Sequence, residues 1–205
     1  MSIPPGPQRG RFIVFEGGDG SGKSTQAKLL AEALGAHLTR EPGGTPISEQ
    51  IRDLVLDPKN AELHERTEAL LMAASRAQHV AEFIEPRLRA GESVITDRFI
   101  ASSLAYQGVG RQLGVDAVAR VNEMALGGLV PDVTVLLDVP AVAATSRIDR
   151  DLDRIEQASL SVVVADCYRT FAQQDPAGWL VIEASGSIEE IHDRIYAAIR
   201  ERFDQ

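Results

Sequence analysis

The sequence predicts an α/β domain in which a five-stranded parallel sheet is flanked by helices. Short runs of apolar and β-branched residues alternate along the chain with longer stretches of helical periodicity. Most of these runs are almost continuously apolar, as in strands that are covered on both faces. Because strands and helices alternate, we expect right-handed βαβ connections. A chain of 205 residues is long enough for one well-buried core, which predicts a single domain.

The predicted elements begin after a short N-terminal segment. Residues 1–9 are rich in proline and glycine, so we expect a flexible tail there and the domain over residues 10–205. The predicted strands are RFIVFEG (11–17), AHLTRE (36–41), ESVITDR (92–98), VTVLLDV (133–139) and GWLVIEA (178–184). Helical periodicity is found in QAKLLAEALG (26–35), TEALLMAASRAQHVAEFIEPRLRAG (67–91), GVDAVARVNEMALGG (114–128) and SIEEIHDRIYAAIRERF (187–203). Ligands of such sheets bind beyond the carboxyl ends of the strands.

The composition excludes several classes of partner. The formal net charge is −9, so we expect no broad attraction to nucleic acid or to an anionic membrane surface. Cys167 is the one cysteine and cannot form an internal disulfide, and no apolar run approaches the length of a membrane span. We therefore expect a cytoplasmic protein that binds anionic ligands through local arginines and backbone amides.

A glycine-rich segment between the first strand and the first helix fits the phosphate-binding pattern G-x-x-x-x-G-K-[ST]. The backbone amides of such a loop point at phosphates, its lysine reaches the β and γ phosphates, and its hydroxyl suits Mg²⁺. The residues expected to hold the nucleotide phosphates are Gly17, Gly18, Asp19, Gly20, Ser21, Gly22, Lys23, Ser24 and Thr25, with Ser24 on the metal. The loop by itself fits a kinase, an ATPase or a GTPase, although the base-reading NKxD segment of G proteins does not occur.

Further segments extend the pattern over most of the chain. TREPGGT (39–45) follows the second strand, TDRFIASSLAYQG (96–108) follows the third, and LLMAASRAQH, PDVTVLLDV and DRIEQ also occur. Together with the phosphate loop, these segments resemble bacterial thymidylate kinases from residue 10 to about residue 200. The resemblance implies a P-loop NTPase-like fold with a short lid over about residues 145–156. It also implies γ-phosphoryl transfer from ATP to dTMP, a Mg²⁺ cofactor and a homodimer.

The resemblance assigns individual residues to the acceptor dTMP. It places Asp19 near the sugar 3′-hydroxyl, Arg76 at a thymine carbonyl and Arg98 at the acceptor phosphate. Asp97 is expected to help organise the water shell of Mg²⁺. The other residues expected to bind dTMP are Arg40, Met72, Ser102, Tyr106 and Gln107. For Tyr106, ordinary helix packing is an equally good interpretation.

One position departs from the pattern of the family. Many relatives have a phenylalanine one helical turn before the base-reading arginine, where the ring stacks on thymine, whereas this chain has Met72. Methionine is apolar and adaptable but lacks the stacking geometry of a ring. We therefore expect a functional acceptor site that is weaker or more permissive.

The lid is expected to supply a positive charge that the phosphate loop lacks. Thymidylate kinases carry an arginine either inside this loop or in the lid, and residues 18–21 include none. Arg147 and Arg150 are therefore the two candidates for the arginine that the lid supplies, and the sequence does not choose between these two. The other residues expected to be catalytic are Lys23 and Arg98. The same charge pattern also fits a solvated, salt-bridged helix.

Two other functions remain open on sequence grounds. One is a kinase for a different small acceptor, such as a deoxynucleoside or another monophosphate, and the other is a regulatory protein that binds nucleotide without turnover. Arg76 and Arg98 favour an acceptor with both a carbonyl-bearing base and a phosphate. The intact Lys23 favours catalysis.

Overall fold

The computed structural model describes residues 9–139, 154–155 and 158–203. The strands are β1 (Phe12–Glu16), β2 (His37–Arg40), β3 (Val94–Asp97), β4 (Val133–Asp138) and β5 (Trp179–Glu183). They form a parallel sheet in the order β2-β3-β1-β4-β5. The predicted five-stranded parallel sheet is confirmed, and each strand lies inside the run that predicted it.

The centre of the sheet explains why the predicted strands are so apolar. Every residue of β1 is buried, because helices cover both faces and β3 and β4 pair with its two edges. Phe15 lies opposite Asp97 of β3, which in turn lies opposite Arg40 of β2. The polar residues that end these three strands therefore meet at one edge of the sheet.

Helices cover the sheet and connect the strands. They are α1 (Lys23–Leu34), α2 (Pro46–Leu56), α3 (Glu65–His79), α4 (Glu85–Arg89), α5 (Ile100–Ser103), α6 (Val115–Leu126), α7 (Ala158–Gln174) and α8 (Ile188–Phe203). The long predicted helix over residues 67–91 is interrupted by a π-helical turn, Val80–Ile84, just before Pro86. Since proline lacks an N–H, the wider turn accommodates it without a break in the chain direction. A second π-helical segment, Leu104–Gly110, follows α5.

Two predicted segments extend beyond the described residues. Residues 1–8 lie outside the described part, and Arg9, placed in the predicted tail, forms an ion pair with Asp132 at 2.8 Å. Of the expected lid over residues 145–156, only residues 154–155 are described, so Arg147 and Arg150 lie outside the described residues. Among the helices of the described ranges, none combines the length and apolar character of a membrane span.

Candidate active site

A cleft of about 1140 Å³ opens at the carboxyl edge of the sheet. The residues predicted from sequence that line it are Asp19, Gly20, Ser21, Gly22, Lys23, Ser24, Thr25, Arg40, Met72, Asp97, Arg98, Ser102, Tyr106 and Gln107. Predicted donor and acceptor residues therefore share one space. Gly17, Gly18 and Arg76 lie outside this lining.

The phosphate loop has the backbone geometry that its motif requires. Gly17 has a φ of 147°, and a Cβ at this position would lie 2.8 Å from the carbonyl oxygen of Leu137. Gly22 caps the start of α1 in the left-handed region with a φ of 92°. Only glycine adopts these conformations without strain, and the turn leaves the first amides of α1 available to an anion.

Lys23 lies at the centre of the loop and is almost fully buried. Its Nζ donates to the carbonyl oxygen of Gly18 at 2.7 Å. Burial and the neighbouring Arg98 lower the pKa of Lys23 to about 8, although Asp97 and nearby carboxylates act in the opposite direction. A bound phosphate would place a negative charge beside this ammonium group and stabilise its charged form.

Ser24 and Asp97 present a set of oxygen atoms that fits a hard cation. The Ser24 hydroxyl, in the first turn of α1, donates to Oδ2 of Asp97 at the end of β3. The other carboxylate oxygen, Oδ1, is buried and has no hydrogen-bond partner among the described residues. Hydroxyl, carboxylate and phosphate oxygens are the ligands that Mg²⁺ prefers, so the two residues fit the expected metal.

Arg98 follows β3 with a left-handed backbone, at a φ of 71°. Its Nη1 donates to the Ser102 hydroxyl at 3.1 Å and to the Tyr168 hydroxyl at 3.2 Å, and its Nη2 contacts Asp19. Burial alone would lower the pKa of Arg98, but Tyr106 and Asp19 outweigh burial and raise this pKa well above its ordinary value. The guanidinium is thus held as a cation in the cleft.

Glu16, at the end of β1, holds the backbone around Arg98. Its carboxylate accepts hydrogen bonds from the amide of Phe99 at 2.9 Å and from the amide and hydroxyl of Ser102 at 3.1 and 2.7 Å. Burial raises the pKa of Glu16, and Arg98 and these hydrogen bonds offset burial only in part. Because it accepts the amides of Phe99 and Ser102, the carboxyl group caps the N-terminus of α5.

Asp19 and Tyr106 form a polar pair beside Arg98. The Tyr106 hydroxyl donates to Oδ2 of Asp19 at 2.8 Å, and both residues line the cleft. The ring of Tyr106 is buried and its hydroxyl contacts Asp19, so the structure is compatible with both interpretations of Tyr106, and its contact with dTMP stays a prediction. A carboxylate and a phenol at this distance suit recognition of a sugar hydroxyl.

Leu56, Met72 and Ile155 line the cleft and belong to or pack against one apolar cluster, so they form its apolar end. Gln107 is a polar residue of the same lining. The Gln107 Nε2 donates to Oε1 of Glu68 at 2.8 Å. Its Oε1 is buried and has no hydrogen-bond partner among the described residues. An acceptor with an unmet hydrogen bond in an apolar pocket favours a ligand that brings an N–H.

Arg76 is placed differently from the expectation that it contacts the base. It is 2% exposed and forms hydrogen bonds with Glu41, Ser103, Asn122 and the carbonyl oxygen of Phe99. These bonds use all the N–H groups of a guanidinium. A direct contact between Arg76 and a base stays a prediction, and it requires the guanidinium to exchange partners.

Sequence reasoning missed several residues of the site. Glu16 carried a usable signal, since a carboxylate ends an otherwise apolar strand. Tyr168 and Glu68 carried none, because their roles depend on which helices pack together. The segment Gly186–Ile188 also lines the cleft, and its position after the carboxyl end of β5 could have indicated this.

Comparison with known proteins agrees with this geometry. The family model described as thymidylate kinase matches residues 15–195. A thymidylate kinase of Lacticaseibacillus casei is 44% identical over 96% of this chain and 98% of its own length. One from Symbiobacterium thermophilum is 47% identical over 93% of this chain and 92% of its own length.

A solved structure agrees as well. The crystal structure of thymidylate kinase from Ehrlichia chaffeensis superposes with a TM-score of 0.76 at 33% sequence identity, over 96% of this chain and 99% of that one. The phosphate loop, the DR segment after β3 and the extent of these matches lead to one conclusion. The chain belongs to the thymidylate kinase family.

Proposed function

We propose that this chain transfers the γ-phosphoryl group of ATP to the 5′-phosphate of dTMP, giving ADP and dTDP for dTTP synthesis. One observation carries the proposal: the phosphate loop, Arg98 and Gln107 line the same cleft. Donor phosphates, acceptor phosphate and acceptor base can therefore be bound together. Membership of the thymidylate kinase family supports the same reaction.

The donor phosphates would be held by the loop and the start of α1. Backbone amides from Gly18 to Thr25 and the partial positive charge at the N-terminus of the helix favour an anion. Lys23 would reach the transferred phosphoryl group, and the bound phosphates would stabilise its charged form. The glycines that line the cleft permit this close approach.

Mg²⁺ would be held by Ser24 and, through its water shell, by Asp97. The support is the buried, unpartnered Oδ1 of Asp97 beside the Ser24 hydroxyl. When bound, the ion neutralises charge on the donor phosphates. Asp97 would keep the Ser24 hydroxyl directed at the metal.

The acceptor phosphate would be bound by Arg98, whose guanidinium is fixed by Ser102 and Tyr168. Asp19 and Tyr106 would form hydrogen bonds with the sugar 3′-hydroxyl. The support is that the two residues are hydrogen-bonded to each other and both line the cleft. No side chain needs to act as a base, since phosphate monoester oxygens are largely ionised at neutral pH. Catalysis would then consist of positioning and charge neutralisation.

The base would lie at the apolar end of the cleft. Gln107 would accept the ring N–H of thymine at its unpartnered Oε1, and Met72 would cover one face of the ring. Arg76 would support this pocket from behind through Glu41, and would reach a thymine carbonyl after exchange of its partners. Arg40 would contribute from the segment after β2.

Three finer features belong to the same proposal. Arg147 or Arg150 would meet the transferred phosphoryl group from the lid. The chain would act as a cytoplasmic homodimer, and exposed apolar residues on adjacent helices support the dimer: Leu54 on α2, Leu70 on α3, and Val121 and Met124 on α6.

The proposal is tested by the Lys23→Ala substitution. We expect kcat with ATP and dTMP to fall by about a hundredfold or more, because one charge stabilises the transferred group. The melting temperature should not fall, since the substitution removes a buried amine whose charge is disfavoured. Steady-state kinetics and thermal melting measure the two effects, and normal turnover in this variant would contradict the proposal.

A further inference from the structure

Glu68 on α3 is completely buried, yet its carboxylate contacts three side chains from two other segments. Gln107 donates to Oε1 at 2.8 Å, and Nη2 of Arg154 donates to Oε2 at 2.5 Å. The guanidinium of Arg111 lies 3.4 Å from the same carboxylate. A buried ion cluster of this kind adds little stability over apolar packing, so its value is in the positions that it fixes.

The carboxylate fixes the orientation of the Gln107 amide. A carboxylate only accepts hydrogen bonds, so the Gln107 nitrogen turns toward Glu68 and the oxygen turns away from it. Gln107 lines the cleft, and its oxygen has no hydrogen-bond partner among the described residues. A base with a ring N–H would satisfy this oxygen, whereas a ring nitrogen with a lone pair would face a second acceptor.

The same carboxylate also holds the end of the lid segment. Nε of Arg154 donates to the carbonyl oxygen of Val55 at 2.8 Å, while its Nη2 binds Glu68. The next residue, Ile155, is 6% exposed and belongs to an apolar cluster with Met72. It also lines the cleft. The contact between Arg154 and Glu68 is thus one of those that hold Ile155 at the base end of the cleft, together with the longer backbone contacts of Arg154 to Leu56 and Arg111, both at 3.4 Å.

We propose that Glu68 is a positioning residue for the acceptor base, acting through Gln107 and Arg154. It sets the Gln107 amide to accept an N–H from the base and holds Ile155 against the base. The inference rests on the proposed function, in which the acceptor is a pyrimidine nucleotide. Thymine has an N–H at ring position 3 and cytosine has a lone pair there. Glu68 thus favours the keto pyrimidine without a contact to it.

Glu68→Gln tests the proposal, since an amide at position 68 can donate to Gln107 and allow its amide to turn over. We expect KM for dTMP to rise by about tenfold and the ratio of kcat/KM for dTMP to that for dCMP to fall by about tenfold. KM for ATP should stay within about twofold of the wild type, because the described contacts of Glu68 reach Gln107, Arg111 and Arg154 and not the phosphate loop. A folded variant with the wild-type ratio would overturn the inference.

Two further variants separate positioning from stability. Asp132→Asn is the matched control, because Asp132 accepts the amide of Phe12 at 2.6 Å and pairs with Arg9 before the first strand. It should leave both acceptor parameters unchanged. Arg154→Gln keeps Glu68 and Gln107, so KM for dTMP should rise while the dTMP to dCMP ratio is retained. If Glu68→Gln does not fold, an unchanged KM for dTMP in Arg154→Gln overturns the inference.

Failure of the inference differs from failure of the proposed function. If the function is wrong, the wild-type protein shows no turnover of dTMP, and the inference falls with it. If only the inference is wrong, the wild type phosphorylates dTMP and Glu68→Gln lowers turnover of dTMP and dCMP by the same factor. Each assay uses the full chain with ATP, Mg²⁺ and one nucleotide acceptor.

Discussion

Lys23 shows how a single residue prepares the cleft for an anion. Its amine is buried and lies near Arg98, and its pKa is lowered to about 8. The folded protein therefore binds fewer protons than the unfolded chain between about pH 8 and the ordinary lysine pKa. The contribution of Lys23 to stability is least favourable below pH 8 and improves as the pH rises through this window.

ATP binding should depend on pH in the opposite sense. Above about pH 8 the free protein has lost the Lys23 proton, and bound phosphates must recover it. We expect the dissociation constant for ATP to rise by up to about tenfold per pH unit above pH 8. Calorimetric titrations from pH 7 to pH 9.5 measure this.

A matched substitution provides the control for this pH dependence. Lys23→Arg keeps its charge at every pH in the range, so its ATP affinity should be flat above pH 8 even where it is weaker overall. A wild-type affinity that is also flat from pH 8 to pH 9.5 would show that Lys23 does not govern phosphate binding.

Individual residues were predicted where a motif fixes the backbone. The phosphate loop specifies Gly17, Gly22 and Lys23 through spacing alone, and the structure gives them the required conformations and places. Glu68 could not be found, since nothing on its own helix indicates the three side chains that reach it. Arg76 was found from its motif position, but that position did not predict its hydrogen-bond partners, which are buried protein groups.

Among the elements, the contact between the end of β1 and the start of α5 determines the position of Arg98. Glu16 accepts two backbone amides and one hydroxyl from the segment that follows Arg98. The left-handed backbone of Arg98 is thus held from the neighbouring strand. These hydrogen bonds explain how the conformation of a loop residue is fixed.

Glu16→Ala should lower the free energy of unfolding by about 1–3 kcal/mol, because it leaves the buried amides of Phe99 and Ser102 unpaired. KM for dTMP should rise in the same variant, since Glu16 no longer orients the Ser102 hydroxyl that accepts a hydrogen bond from Arg98. Urea denaturation and steady-state kinetics measure the two effects. Glu16→Gln keeps an acceptor oxygen and should be affected less, and an alanine variant as stable as the wild type would refute the capping role.

Element prediction succeeded for strands because buried parallel strands require nearly continuous apolar runs. It was less complete for helices. Helix α2 was not among the predicted segments, although Thr45 caps it and Pro46 begins it. The π-helical turn before Pro86 was not predicted. A single wider turn shifts the apolar face by only one residue, which is too small a change to detect in the periodicity.

At the scale of the whole molecule, three adjacent helices carry exposed apolar side chains. Leu70 on α3 is 58% exposed and Met124 on α6 is 92% exposed. Side chains of this kind on helices that pack together fit a surface that a second copy covers. We therefore propose that the layer formed by α2, α3 and α6 is the interface of the proposed dimer.

A charge on this layer should dissociate the dimer. We expect Met124→Lys to shift the sedimentation of the protein from dimer to monomer at micromolar concentration, because an ammonium would be buried without a partner. Val181→Lys on β5 is the control, since Val181 is also apolar and 55% exposed but lies on a different element. If Met124→Lys sediments as the wild type does, this layer is not the interface.

In the proposed reaction, one cleft binds the phosphates of ATP together with a thymidine monophosphate acceptor. The measurement that tests it most directly is ADP release from ATP·Mg²⁺ with dTMP, dUMP, dCMP, dGMP, UMP and thymidine as separate acceptors. We expect strong turnover with dTMP, little with dCMP or dGMP, and none with thymidine, which lacks the phosphate that Arg98 would bind. Strong turnover with another acceptor and none with dTMP would contradict the account of the base pocket, and ATP binding without turnover on any acceptor would contradict the reaction itself.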